Sequence, residues 1–323
     1  MAEFKKYPSI EQFRNVVRNV RQWAKHNNEP LPKIMFFGTI KLHGTNAAIV
    51  YDPATKDIQC QSRNNFITVD NDNAGFAAWV EERKYDLLLT LNDRFGHLDT
   101  PTYIYGEFCG GNIQKGVGIN GLDKMFVIFN ATVDGVDCLP ISAGIGELTE
   151  IKGIYSTFQF EFFSGNVDFS NPEIESETFR KLTLEIEKEC PVAKHFGVDN
   201  GTGEGIVWQS KELFNGKRLS FKVKGEKHSV SKVKTIAAVD VEKVASVAEF
   251  IDKVVTENRL EQGLREVFGD NEPDIKQTGA FLKWVGNDVF KEELDTLEES
   301  GLTRKDVGGK IADKARQWFM NRV

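Results

Sequence analysis

Cysteine is scarce and scattered in this chain of 323 residues: Cys60, Cys109, Cys138 and Cys190 include no Cys-x-x-Cys pair. Such spacing offers neither a zinc site nor a disulfide framework, and it fits a reducing compartment. Long apolar runs are also lacking, none approaching the ~18 residues needed to span a bilayer. The opening residues, Met1-Ala2-Glu3-Phe4-Lys5-Lys6, have no apolar core of the kind a signal peptide carries. Internal repeats and low-complexity tracts are absent as well. Together these absences predict a cytoplasmic protein with no membrane partner. Apolar residues make up 40% and charged residues 28%, both ordinary for a globular chain, so disorder is not the default. At roughly 150 residues per domain the length suggests two domains, each able to bury a core.

A net charge of −7 speaks against a polyanion partner until its distribution is read. Lys211, Lys217, Arg218, Lys222, Lys224, Lys227, Lys232 and Lys234 stand within one stretch, against only Glu212 and Glu226. From Val241 onward, 13 basic residues face 17 acidic ones. A polyanion would therefore meet a local basic face rather than a basic protein.

Periodicity divides the chain in two. Up to about residue 234, short apolar or alternating runs recur at Ile34–Ile40, Ala47–Tyr51, Thr102–Phe108, Met125–Val133, Gly205–Gln209 and Leu219–Val223, with turn-forming residues between them. Several follow one another without an intervening helix, which predicts largely antiparallel sheets. Helical periods interrupt them at Ile10–Lys25, Phe76–Leu91 and Glu173–Glu189. Beyond Ala237 the helical period takes over, at Val241–Asn258, Leu260–Phe268, Ala280–Phe290, Glu292–Leu297 and Val307–Phe319. The expected architecture is α+β: an antiparallel-sheet domain over residues 1–238 and a small all-helical domain over residues 239–323.

The chemistry centres on Lys41-Leu42-His43-Gly44-Thr45-Asn46, set between two apolar strands. A lysine at a strand-to-strand turn, with Gly44 letting backbone approach a ligand, can present its amine to a phosphate. Lys-x-x-Gly by itself decides nothing, since it begins seven times here, at Lys41, Lys115, Lys194, Lys222, Lys276, Lys283 and Lys305. A free lysine amine, with a pKa of about 10.4, is mostly protonated at neutral pH, and cationic neighbours or a metal ion make it a better nucleophile. Lys222 and Lys224 alternate along a strand, so both amines point to one sheet face. Glu107 and Glu204 each sit within or just before an apolar strand, where an unpaired carboxylate is costly. Phe126 reads on composition as a core residue, and His43 as a structural histidine. Arg63 offers a planar fork for phosphate.

What singles out Lys41 is the ordered company it keeps. The Lys41–Asn46 segment resembles the first motif of the covalent nucleotidyltransferases. It is followed by Gln61-Ser62-Arg63-Asn64, Tyr105-Gly106-Glu107-Phe108, Phe126-Val127-Ile128-Phe129, Glu204-Gly205-Ile206-Val207 and Ser220-Phe221-Lys222-Val223-Lys224. These resemble the later motifs in order, across nearly the whole chain. Within that superfamily the sequence resembles the RNA ligase 2 group of bacteriophage T4 type. The shared features are the His-Gly-Thr-Asn continuation, Ile113-Gln114-Lys115, the N-terminal Phe4-Lys5-Lys6-Tyr7 and the helical tail.

The resemblance implies an ATP-grasp-like nucleotidyltransferase domain and an ATP-dependent RNA ligase, monomeric, using Mg²⁺ or Mn²⁺. Lys41 would be the nucleophile that carries AMP, Lys222 and Lys224 would grip the α-phosphate, and Glu107 would hold the ribose hydroxyls. Glu204 would serve the metal-assisted steps and bind the metal, Phe126 would stack on adenine, and Arg63 would lie near AMP or the RNA 5′ phosphate. Asn46, Gln114, Phe76 and His43 fall where the group has functional or supporting side chains. The substrate would be RNA ends, above all nicks in duplex RNA, in a repair or phage-encoded role (then in the host cytoplasm). Two departures stand out: Ile40 precedes the nucleophile where relatives carry an acid, and Asn130 stands where the T4-type relative has aspartate. DNA ligases and capping enzymes share the lysine chemistry, but they append a β-barrel where this chain reads as helical. A non-catalytic RNA-binding protein would have no need of Lys41, Glu204 and Lys222 together.

Overall fold

The computed structural model describes residues 2–72, 74–233, 237–269 and 272–323. Lys234, the last of the basic stretch, lies outside these residues. In chain order the first elements are β1 (Glu11–Gln12), α1 (Phe13–Asn27), β2 (Lys33–Lys41), β3 (Thr45–Asp52), β4 (Asp57–Ser62), β5 (Phe66–Ile67), α2 (Phe76–Glu81) and α3 (Lys84–Phe95). They continue through β6 (Thr102–Cys109), β7 (Met125–Val133), β8 (Val136–Cys138), β9 (Ile154–Ser156), β10 (Phe162–Asp168), α4 (Glu173–Lys188), α5 (Pro191–His195), β11 (Gly205–Ser210) and β12 (Ser220–Lys224). Five helices close the chain: α6 (Val247–Val254), α7 (Glu257–Phe268), α8 (Thr278–Glu292), α9 (Leu294–Glu299) and α10 (Arg304–Met320).

The strands form two mainly antiparallel sheets, in the orders β1-β12-β11-β2-β10 and β5-β4-β3-β6-β7-β8, with β9 joining β7 in parallel. Alternation assigns each face. On the first sheet Phe36, Trp208, Phe221 and Val223 turn toward α1 and α4 and form one core with Phe13, Val16, Val17, Val20 and Phe179. The buried residues of α1 recur at helical spacing, and its end is closed by Asn28 in the left-handed conformation. On the second sheet Ile49, Ile104, Phe108, Phe126 and Ile128 turn toward α2 and α3 over Phe76, Leu87 and Leu91.

The opposite faces of the two sheets line a cleft that is bridged at one end. There the extended segment before α1 crosses the second sheet: Tyr103 Oη donates to the Glu3 carbonyl at 2.7 Å, and Gln61 Nε2 to that of Lys5 at 2.8 Å. The Tyr7 ring packs 5.0 Å from both Tyr105 and Phe129, while its hydroxyl accepts from Gln209 Nε2 of the first sheet at 3.1 Å. Arg218, just before β12, pairs with Asp137 on β8 and forms a second tie between the sheets. Lys41 and Glu204 lie at the far end of the same strands.

The final helices bury a core of their own, including Phe250, Leu260, Phe281, Val285, Val307, Ile311 and Phe319. They dock on the first sheet through charge. Arg14, at the start of α1, makes a two-pronged contact with Asp295 at 2.7 and 3.1 Å and reaches Glu293 at 3.3 Å. Its side chain is 2% exposed, so these ions are desolvated and depend on one another. Among the described residues no helix is long and apolar enough to cross a membrane.

The sequence reading differs from the structure in several places. The helix expected over Phe76–Leu91 is two helices, because Arg83 turns back to bond the Trp79 carbonyl at 2.8 Å and lies over the Trp79 ring. The helix expected over Val241–Asn258 begins only at Val247, where Ser246 accepts from the Glu249 amide, and it stops before Thr256, which caps α7. Strands β4, β8, β9 and β10 carried no strand signal in the sequence reading. Cutting the Arg14 anchor tests the docking: Arg14→Ala leaves Glu293 and Asp295 buried without it. The expected cost is about 3–5 kcal/mol, measured by urea unfolding followed in the tryptophans of the helical unit.

Candidate active site

Lys41 ends β2, and cross-strand register puts it beside Gly205 on β11, which in turn pairs with Lys224 on β12. The next row inward holds Thr39, Val207 and Lys222. Both lysines of β12 thus share the cleft face with Lys41, as their alternation predicts. Glu204, immediately before β11 and 2% exposed, reaches this row because Gly205 holds a left-handed backbone (φ 148°) in which a Cβ would lie 2.1 Å from the Val223 carbonyl. Its carboxylate takes Lys41 Nζ at 2.7 Å, Lys224 Nζ at 3.1 Å and His43 Nδ1 at 3.3 Å. Burial opposes the charge on Glu204, but Lys41, Lys224 and His43 together hold its carboxyl well below the usual carboxylate range. Burial also lowers the Lys224 amine, and Glu204 only partly offsets this.

The second sheet supplies the other wall. Asn46 on β3 pairs in register with Glu107 on β6. Glu107 Oε1 accepts the Gly44 backbone N–H at 2.9 Å, closing the turn that follows Lys41. That turn needs its glycine, since a Cβ on Gly44 would lie 2.3 Å from the Phe108 carbonyl. Gln114 donates to the Gly44 carbonyl at 3.5 Å, and its own Oε1 is buried without a hydrogen-bond partner. Arg63 is exposed on the turn after β4, and its positive charge is felt at Glu107. Ile40 points the other way, into the core.

A family model described as RNA ligase matches residues 35–224, more than half of the chain. The chain belongs to the RNA ligase family. A comparison with curated proteins finds no match. Among solved structures, a mutant RNA ligase of Naegleria gruberi with AMP and Mn is 16% identical, with a TM-score of 0.47 over 70% of this chain and 59% of that one. Another mutant of the same ligase, in apo form, is 16% identical with a TM-score of 0.48, over 71% and 60%. The same ligase with PPi is 17% identical with a TM-score of 0.46, over 70% and 58%. This chain thus spans less than two thirds of the length of those ligases.

Of the residues singled out in the sequence of this RNA ligase family member, Lys41, His43, Asn46, Arg63, Glu107, Gln114, Glu204, Lys222 and Lys224 gather at the far end of the cleft. Phe126 and Phe76 do not. Both are buried between the second sheet and α2, their rings 5.0 Å apart, and Phe126 abuts Gly106 from the face opposite Glu107. The expected stacking of Phe126 on a base is therefore corrected: the aromatic residue of β7 that faces the cleft is Phe129, beside Tyr7. His228, which follows β12, was missed by sequence reasoning. Its ring lies 6.1 Å from that of His43, with Nδ1 buried and unpartnered, and no motif or spacing marked it.

Glu107 makes the site sensitive to pH. Burial, opposed by Lys41 and reinforced by Glu204, pushes its carboxyl up to about 7. A carboxyl raised on folding contributes stability below its unfolded value of about 4.3 and loses it as pH climbs through the folded value. Glu107→Gln removes that titration. The stability of Glu107→Gln relative to the parent should rise between pH ~4.5 and ~7 and then level off, by ~1–3 kcal/mol in all. Denaturation in metal-free buffer across this range measures it; a constant difference would show that Glu107 titrates normally.

Proposed function

We propose that this protein is an ATP-dependent RNA ligase that joins a 3′-hydroxyl to a 5′-phosphate through an adenylate carried on Lys41. The observation that supports this most is the row Lys41–Glu204–Lys224, which places a primary amine, a carboxylate and a second cation within contact distance at one end of a cleft. Family membership supports RNA as the polymer. In this reading residues 1–238 are the adenylyltransferase domain and residues 239–323 a helical domain that helps grip the substrate.

Three displacements follow. The Lys41 nitrogen attacks the α-phosphorus of ATP; an N–P bond forms, the P–O bond to pyrophosphate breaks, and the amine loses a proton beside Glu204. The 5′-phosphate of an RNA end then attacks the same phosphorus, frees the lysine and leaves AMP joined to the RNA through a pyrophosphate bond. Finally an RNA 3′-hydroxyl attacks the 5′-phosphorus and expels AMP. Splitting one difficult joining into successive transfers is the use of a covalent nucleophile. The protein mainly supplies alignment and charge at the phosphates. Lys222, Lys224 and Arg63 are the cations for this task, Glu107 and Asn46 are set to receive the ribose, and His43 and Gln114 hold the turn around Lys41. The basic stretch from Lys211 would hold the polyanion, with affinity falling steeply in salt.

A divalent cation fits this site in one way only. Among the described residues no three His, Cys, Asp or Glu side chains gather into a cage, and the Glu204 oxygens already serve Lys41 and Lys224. Mg²⁺ or Mn²⁺ would thus be held chiefly by phosphate oxygens and water, with Glu204 as the protein ligand, and would neutralise phosphate charge.

Incubation with ATP labelled at the α-phosphate and Mg²⁺ should leave label on the polypeptide after SDS denaturation, and Lys41→Ala should abolish it. An unlabelled parent, or a Lys41→Ala variant that labels normally, would remove the adenylate from the mechanism. For the substrate, a nick in duplex RNA should seal faster than the same nick in duplex DNA. Equal rates would argue against RNA as the natural polymer.

A further inference from the structure

Lys222 is one of the two cations assigned above to the α-phosphate, yet it is already engaged. Its Nζ meets Glu292 Oε1 at 2.7 Å, and both side chains are largely withdrawn from solvent, 20% and 13% exposed. Glu292 is the last residue of α8, in the helical unit, 70 residues further along the chain. Burial opposes the charge on Lys222, but Glu292 more than offsets it and raises the amine. The contact is no chance meeting of flexible ends. The neighbouring Glu293 is fully buried against Arg14 and Arg259, and the Glu292 carbonyl itself accepts from Arg14 at 3.2 Å. Arg259 also ties α7 to Asp288, one turn back along α8. The end of α8 is therefore held at both its backbone and its flanks, and from it Glu292 reaches Lys222 on β12.

An anionic oxygen held 2.7 Å from a desolvated ammonium is what a phosphate oxygen would be in the same place. Lys41 and Lys224 are both committed to Glu204, and Lys222 to Glu292. We propose that Glu292 is a built-in phosphate mimic: it occupies Lys222 while the cleft is empty, and the helical unit must yield this contact before nucleotide is gripped. The inference rests on the assignment of Lys222 to the α-phosphate. It makes α8 an autoinhibitory element, in which the ion pair sets how readily ATP enters and emptying of the site draws the helical unit back.

Two states linked by one ion pair make the sign of the effect definite. If the closed state is favoured about ten to one, apparent nucleotide affinity is reduced about tenfold, and removing the competing charge restores it. Glu292→Gln keeps the shape and the hydrogen-bonding reach of the side chain but not its charge. Calorimetric titration with α,β-methylene-ATP, which cannot transfer AMP, should show the full-length Glu292→Gln variant binding about tenfold more tightly than the parent. In a Lys222→Ala background the same change should have no effect, because the partner is gone. Hydrogen exchange of the α8 amides should also quicken in the parent when the analogue binds. Equal or weaker binding by Glu292→Gln, or a gain that persists in Lys222→Ala, would overturn the mimic and leave Glu292 a docking residue. A parent that binds no nucleotide at all would instead strike at the ligase reading itself, so the two failures are distinguishable.

Discussion

The buried carboxylate of Glu204 is the constraint around which the rest is arranged. An isolated ion so deeply placed would be too costly to keep charged, so the fold must bring cations to it. It does this with two strand ends and a turn: the end of β2 supplies Lys41, the end of β12 supplies Lys224, and the turn after Lys41 supplies His43. That arrangement fixes the cross-strand register, because sliding any of these strands by one residue would send its charged side chain into the core on the other face. It also explains the glycine at 205, since only a backbone at that angle turns Glu204 toward the row. The position of Lys41 is thus a consequence of electrostatic necessity within the sheet rather than of the Lys-x-x-Gly signature.

The two sheets are tied to each other at one end. Tyr7 and Arg218 bridge them there, each partnering a residue of the facing sheet. Four residues separate Phe37, which pairs with Gln209, from Lys41, about 13 Å of extended strand. No tie of that kind is needed near Lys41, where the Glu107 contact to the Gly44 backbone joins the sheets through the chain itself.

Much of this was legible in the sequence because it rests on alternation and order. The long strands, the shared face of Lys222 and Lys224, and the helical tail all follow from period. What escaped depended on tertiary geometry. Pairing between β6 and β7 slips by one residue, from Tyr105–Asn130 to Gly106–Ile128, leaving Phe129 as a bulge. Phe126 and Phe129 are three residues apart, so alternation puts them on opposite faces, and strand period alone gives no sign of which one faces the helices and which the cleft. The short strands β8 and β9 exist only as partners of β7 and carry too few residues for a pattern. His228 lies on no periodic element, so its place near His43 could come only from the folded chain. The partner of Lys222 was hidden for the same reason: nothing in the local sequence links β12 to the end of α8.

The empty site also has an electrostatic logic. Lys41, Lys222 and Lys224 are set in a cleft of low polarisability, and left alone they would repel one another. Glu204 and Glu292 supply the missing negative charge, the first from within the sheet and the second from the helical unit. When phosphate arrives it brings charge of the same sign as these carboxylates, so the number of cations suited to the loaded site exceeds what the empty site can tolerate unaided. Glu204 belongs to the strand framework and cannot withdraw without disrupting β11. Glu292 sits at a helix end on a separately packed unit, and its withdrawal would require release of the Arg14 contacts to Glu293 and Asp295 as well. In the proposed reading the carboxylate on the helical unit is the one that gives way, which would couple nucleotide binding to the position of that unit.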